Sequence, residues 1–179
     1  KIKWGDFEAE LEKDIKKQVY SDGVGKEQSM HYHEFITELY LIAVMLGRRN
    51  GSHFSVDLNS RVEKMCEFIM YMTDEGLRPL NIGDSDDRDA LKLNMLELFS
   101  NSAFILNAAS VLFNTPGFKI DKNGFDEKSL WLLGHEGYER YSLLETAYKD
   151  KVLASKDFPE GGYYIMRHEG LFLHFDCGK

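Results

Sequence analysis

Apolar residues recur every four positions near the start of the chain, at Phe7, Leu11, Ile15 and Val19, with Glu8, Glu10, Glu12, Lys13, Lys16 and Lys17 between them. That period predicts an amphipathic helix over residues 6–20, with Asp6 as its N-cap. The acidic side chains precede the basic ones, the order the helix dipole favours, and the charged face is expected to be solvated. Over residues 30–48 the pattern differs. Phe35, Leu39, Leu41, Ile42, Val44, Met45 and Leu46 leave little polar circumference, which predicts a helix buried between neighbours. Asn50-Gly51-Ser52 predicts a left-handed stop. A third helix is expected over residues 57–72, with Val62, Met65, Cys66, Ile69 and Met72 facing a core. The methionines and aromatics of residues 68–72 read as core filling.

Residues 75–89 are rich in Gly, Pro, Asn and Asp and predict a long polar loop, a common seat of binding residues. Helical periodicity resumes over residues 90–114, with a weak point at Asn101-Ser102 and a stop at Thr115-Pro116-Gly117. Residues 127–133 and 141–153 predict two further helices around a break at Gly137. After Pro159 the period falls to two. Residues 163–167 and 171–175 flank a His168-Glu169-Gly170 turn, which is a hairpin signal. The expected division is a helical segment over residues 1–154 and the first strands of a sheet domain over residues 155–179. Helices arriving as successive pairs, without a repeat of fixed period, fit a bundle or an α/α toroid equally.

A length of 179 residues suits one ordinary domain or a piece of a larger protein. An apolar content of 43% with 13% aromatics is enough for a real core. The formal charge of −8 argues against a general nucleic-acid binder, which needs a Lys/Arg face. A polyanionic partner would need a local basic groove. Cys66 and Cys177 form no C-x-x-C pair and read as reduced thiols, so neither zinc nor a disulfide framework is expected. No apolar run reaches bilayer-spanning length, no membrane partner is expected, and no signal peptide opens the chain. Lys1 is not an initiator methionine and the last residues break off in a strand-like alternation, so the chain is expected to be an internal segment.

Candidate chemistry is concentrated in residues 20–35, Y-S-D-G-V-G-K-E-Q-S-M-H-Y-H-E-F. A turn punctuated by Asp22, Gly23 and Gly25 delivers Glu27, Gln28 and Ser29 to the start of the second helix, where His31 and His33 flank Tyr32. A phenol, with a reference pKa of about 10, serves as a general acid unaided. It serves as a base only when a cation or hydrogen bonds stabilise the phenolate. The plainer reading of Tyr32 is a partly buried helix tyrosine whose hydroxyl satisfies a neighbour. His31 and His33, two positions apart, point to different helix faces and cannot chelate one metal. Asp84, Asp86, Asp87 and Asp89 lack the order of a calcium loop and are expected to cap or to shape a cleft. Walker, G-x-G-x-x-G and G-x-S-x-G motifs are all missing. Glu27, Glu34 and Asp84 are the carboxylates from which a glycosidase pair would have to be drawn.

The stretch Q-V-Y-S-D-G-V-G-K-E-Q-S-M-H-Y-H-E-F at residues 18–35 resembles the signature of heparinase II/III-like polysaccharide lyases. In that family an acidic-Gly turn is followed by a Glu and then a Tyr-His pair at the head of a toroid helix. P-L-N-I-G-D-S-D-D-R-D, residues 79–89, is similar to a Gly-Asp-x-Asp loop of members linked to exopolysaccharide gene clusters. F-P-E-G-G-Y-Y-I-M-R, residues 158–167, together with L-F-L-H-F-D-C-G-K, resembles the start of the family's β-sandwich.

The resemblance implies a mostly α fold: an α/α toroid, incomplete here, followed by the first strands of a β-sandwich. It implies β-elimination on an acidic, uronic-acid-containing polysaccharide; no cofactor and no metal are expected. Tyr32 matches the family's catalytic tyrosine, which donates to the leaving oxygen and in some geometries also abstracts the proton. Glu27, Gln28 and His33 are then expected to orient Tyr32 or to bind sugar hydroxyls, and Arg88, with Arg48, Arg49 and Arg78, to line a groove for the acidic chain. The family's carboxylate-neutralising Asn is expected before Lys1 and its catalytic His after Lys179, so the 179 residues alone are expected to be inactive. Family habit implies a periplasmic or secreted location. Two alternatives stand beside this reading: a toroid-fold glycoside hydrolase with two opposed carboxylates, and a non-catalytic carbohydrate-binding module.

Overall fold

Ser29, Ser55, Ser100 and Asp126 each place a side-chain oxygen on the amide three residues ahead, and each begins a helix. Such caps contribute about 1 kcal/mol apiece by satisfying donors that the first turn leaves unpaired. The computed structural model describes residues 4–74, 77–84, 89–93, 100–119, 124–145 and 153–178. Its helices are α1 (Trp4–Gln18), α2 (Met30–Arg49), α3 (Val56–Tyr71), α4 (Asn101–Leu112) and α5 (Glu127–Leu143), with a 3₁₀ turn at Pro116–Phe118. Three strands follow: β1 (Lys156–Phe158), β2 (Tyr163–His168) and β3 (Leu171–Asp176).

The core is built around α4, which is buried on nearly every side. Ser102, Ala103, Ala108, Ala109 and Ser110 keep its circumference small, so α2, α3 and α5 all pack against it. Phe104, Ile105 and Leu106 meet Leu41 and Val44 of α2 and Met65 and Ile69 of α3 in one continuous apolar cluster.

Four expectations change. The first helix starts at Trp4, whose indole N–H donates to Glu8 at 2.8 Å, so Asp6 lies within the first turn rather than capping it. Residues 89–93 are not helical, because the Ala90 and Leu91 amides bond the Glu38 carboxylate instead of a helix ladder. The break in α5 falls at Gly134 (φ 70°, ψ −168°), not Gly137, and the helix continues to Leu143. Gly137 is buried inside that helix against the Leu133 side chain. Finally, β1 was not anticipated, since three residues are too few to show a period.

The sheet is antiparallel in the order β1-β2-β3, with Phe158 opposite Tyr163 and Tyr163 opposite Asp176. Glu169 and Gly170 form its two-residue turn, both left-handed (φ 43° and 79°), the geometry that matches strand twist. Its inner face carries Phe158, Tyr163 and Ile165, and the first two pack on Phe68 of α3. The Arg167 guanidinium donates to the Tyr71 and Thr73 carbonyls, both at 2.8 Å, at the end of α3. Lys156 pairs with Glu67 at 2.9 Å. The molecule is therefore mostly helical, with a C-terminal three-stranded sheet fastened to the end of α3.

Candidate functional site

The three segments that resemble one family in sequence converge at the start of α2. The Asp22 carboxylate accepts the Val24 amide at 3.3 Å and the Gly161 amide at 2.9 Å. Gln28 donates from Nε2 to the Gly161 carbonyl at 3.4 Å, and its side chain lies against Gly178. Its backbone is left-handed (φ 54°), a conformation that costs a non-glycine residue free energy and marks a constrained turn. Ser29 donates from Oγ to the Asp84 carbonyl at 2.7 Å, and the Met30 amide donates to the Ile82 carbonyl at 3.0 Å. Gly83, between those two acceptors, has φ 72° and approaches the Gln28 carbonyl so closely that a Cβ would sit 3.0 Å from it. Residues 20–29 thus tie the 82–84 loop to one side of the helix start and the sheet to the other.

Tyr32 stands in the first turn of α2, half-buried, with its amide on Ser29 Oγ at 3.4 Å. Its hydroxyl makes no hydrogen bond among the described residues, so the neighbour that the plainer reading requires is not found there. Glu27 is exposed in the preceding turn. Gln28 is half-buried at the junction with the sheet. Arg88 lies outside the described residues, as do Asp86 and Asp87. Arg78 pairs with Asp74 at 2.8 Å. Arg48 and Arg49 sit at the other end of α2, where they donate to the Leu112 and Leu132 carbonyls. Sixteen residues of helix, roughly 24 Å, separate Arg48 from Tyr32, so these two arginines do not join the site.

His33 is fully enclosed. It donates from Nε2 to the Met65 carbonyl at 3.1 Å and packs edge-on against Phe68, and burial pushes its pKa down to about 4. The imidazole is neutral and its Nδ1 is left as an unpartnered buried acceptor. His33 borders a cavity of about 10 Å³ lined by Gly25, Gln28, Ser29, Phe68 and Tyr163 among others. Ligand cavities run to roughly 300 Å³ or more, so no sugar ring enters here.

A second polar cluster lies behind this surface, and sequence reading missed it. Glu38 is fully buried, 2.6 Å from Lys128 Nζ. Glu34, one turn earlier, accepts the Ser102 hydroxyl, and burial raises its pKa to about 7. Glu34 is buried whereas Glu27 and Asp84 are exposed, so the three carboxylates share no common environment. The available signal was two glutamates four residues apart inside a helix otherwise apolar nearly all round. Among the described residues no group of three His, Cys, Asp or Glu side chains could hold a metal ion, and no helix is long and apolar enough to cross a membrane.

Comparison with curated proteins and with solved structures returns no match. Residues 3–106, more than half of the chain, match the family described as heparinase II/III N-terminus. That span contains the 20–35 turn and helix start and the 79–89 loop, the two segments which Ser29 and Met30 fasten together. By that match the chain belongs to the heparinase II/III family, through its N-terminal part.

Proposed function

We propose that the chain is part of a polysaccharide lyase that cleaves a uronic-acid-containing polysaccharide by β-elimination, with Tyr32 as the proton donor. Residues 1–154 would form part of an α/α toroid and residues 155–179 the first strands of a β-sandwich. The observation that carries the reading is the convergence at the start of α2: a family-matched turn, ending in the Ser29 cap, is bonded on one side to the 82–84 loop and on the other to Gly161 in the β1–β2 turn. Three distant segments held to one helix start fit a preorganised site better than a scaffold turn.

In the reaction a base takes the proton at C5 of the uronate and the C4–O4 bond breaks as a C4–C5 double bond forms. O4 leaves with a proton from the Tyr32 phenol. A hydroxyl that no described neighbour engages is available for that donation. Glu27, exposed beside it, would bind sugar hydroxyls, and Arg88 the acidic chain. Gln28 and His33 act on orientation. The first fixes the turn through Gly161, and the second, neutral and buried, holds the start of α2 to Met65.

The test follows ultraviolet absorbance of the new double bond in the full-length protein over a panel of uronate polysaccharides, with Tyr32→Phe in parallel. A rise on one polymer, lost in a folded Tyr32→Phe, supports the reading and names the substrate class. Saturated products would sink it in favour of a hydrolase, and binding without turnover in favour of a carbohydrate-binding module. A rise that persists in Tyr32→Phe would put the chemistry on another residue.

A further inference from the structure

Glu38 does more than balance a charge. Its Oε1 lies 2.6 Å from Lys128 Nζ and accepts the Leu91 amide at 2.9 Å, while Oε2 accepts the Ala90 amide at 3.1 Å. Lys128, from the first turn of α5, also donates to Asn101 Oδ1 at 3.1 Å and stands 4.4 Å over the Phe104 ring. Glu34 on α2 and Asp89 are the other acidic groups facing the cluster, and Ser102 bonds Glu34 from α4. Glu38 has the cation and two N–H donors, whereas Glu34 has only a hydroxyl and burial raises its pKa.

Stability alone does not account for this arrangement. Replacing a buried ion pair by apolar groups of similar volume is commonly neutral or stabilising. What an apolar pair would not do is accept two backbone amides. The chain that carries those amides is tied to α2 at its other end as well, through Met30 to Ile82 and Ser29 to Asp84. Ser29 and Glu38 are nine residues apart, about 14 Å along the helix. Both ties lie on the half of α2 that carries Tyr32.

We propose that Glu38, paired with Lys128, is a positioning residue: it holds the backbone at residues 89–91 against α2, so that this stretch and residues 82–84 form one wall of the polysaccharide site. What the wall meets rests on the lyase reading; the clasp itself does not.

The decisive variant is the double substitution Glu38→Met with Lys128→Met in the full-length protein, which removes the acceptors without stranding a buried charge. Expected is a melting temperature close to that of the parent, with the Ala90 and Leu91 amides exchanging about ten- to hundredfold faster. KM for the cleaved polysaccharide should rise about tenfold with kcat within about twofold, the signature of lost binding rather than lost chemistry. Unchanged exchange at Ala90 and Leu91 in the folded double variant overturns the clasp. If that variant does not fold, Leu91→Pro deletes one donor and leaves the ion pair intact. The same rise in KM supports the proposal there, and an unchanged KM overturns it. Exchange is read without substrate, so a parent protein that turns nothing over defeats the lyase reading and leaves exchange to judge the clasp.

Discussion

Ser29 bonds Asp84 and Tyr32 at once: its hydroxyl donates to the Asp84 carbonyl at 2.7 Å and accepts the Tyr32 amide at 3.4 Å. One small side chain therefore starts α2 and fixes the 82–84 loop beside it. Ser29→Ala should cost about 1–2 kcal/mol in urea unfolding, a lost cap plus the lost bond to the Asp84 carbonyl. Ser29→Asp keeps a capping oxygen but cannot donate to Asp84, so it should recover only the capping share. Full recovery would mean that the tie to Asp84 contributes nothing.

Tyr32→Phe should be silent in stability. With no hydrogen bond to the hydroxyl among the described residues, its loss should change unfolding free energy by no more than about 0.5 kcal/mol. Under the lyase proposal the same variant has no turnover. A destabilisation well above that limit would show the hydroxyl serving structure.

His33 and Glu34 are adjacent and respond to pH in opposite senses. Folded Glu34 keeps its proton up to about pH 7 against an ordinary 4.5, so its contribution is full below pH 4.5 and is lost as pH rises through 7. Folded His33 stays neutral down to about pH 4 against an ordinary 6.5, so its contribution is present above pH 6.5 and is lost as pH falls through 4. Between 4.5 and 6.5 folding puts a proton on one and removes a proton from the other, and the slopes cancel. Glu34→Gln should therefore expose a loss of stability as pH falls from 6.5 to 4.5, relative to the parent. His33→Gln should expose a loss as pH rises from 4.5 to 7. Each slope approaches at most about 1.4 kcal/mol per pH unit. Parallel urea midpoints for parent and variants across that window would refute the coupling.

The joint between sheet and helices has little room. A Cβ at Gly161 would collide with the Val24 side chain, and both Gly161 backbone groups are bonded, to Asp22 and Gln28. Gly161→Ala should cost about 1–3 kcal/mol, the usual range for overpacking. Val24→Ala in the same chain should return part of that loss, giving a coupling that independent sites would not show. Strict additivity of the two substitutions would contradict the contact.

The two cysteines should separate cleanly under a thiol reagent. Cys66 is fully buried in α3, and burial pushes its pKa well above the ordinary thiol value, whereas Cys177 is exposed after β3. Native protein should label at Cys177 only, with Cys66 reacting on unfolding. Labelling of both at equal rates would mean that α3 opens readily.

Much of this was readable in the chain itself. The stripe from Phe7 to Val19, the run around Leu41, the Asn50-Gly51 stop and the alternation after Tyr163 each reflect a local constraint: the helical period, a left-handed cap, or the pleat of a strand. The turn ahead of Tyr32 was legible for the same reason, since its glycines and its polar residues are neighbours in sequence, whereas the capping bond from Ser29 came from the structure.

Other features depend on what distant residues offer one another. Ala90 and Leu91 continue a helical period, yet they are not helical, because the buried Glu38 carboxylate is a stronger acceptor for their amides than a helix carbonyl. His33 is expected from the sequence to orient Tyr32 or to bind sugar hydroxyls, and Met65 and Phe68 from α3 enclose it. Local period and turn chemistry are set by near neighbours, so the sequence alone determined the first three helices, the hairpin and the position of Tyr32 near a helix start. Burial and pairing of charge depend on which segments pack together, so only the tertiary structure decided that Glu38 meets Lys128, that burial raises the pKa of Glu34, and that three separated segments meet at the start of α2.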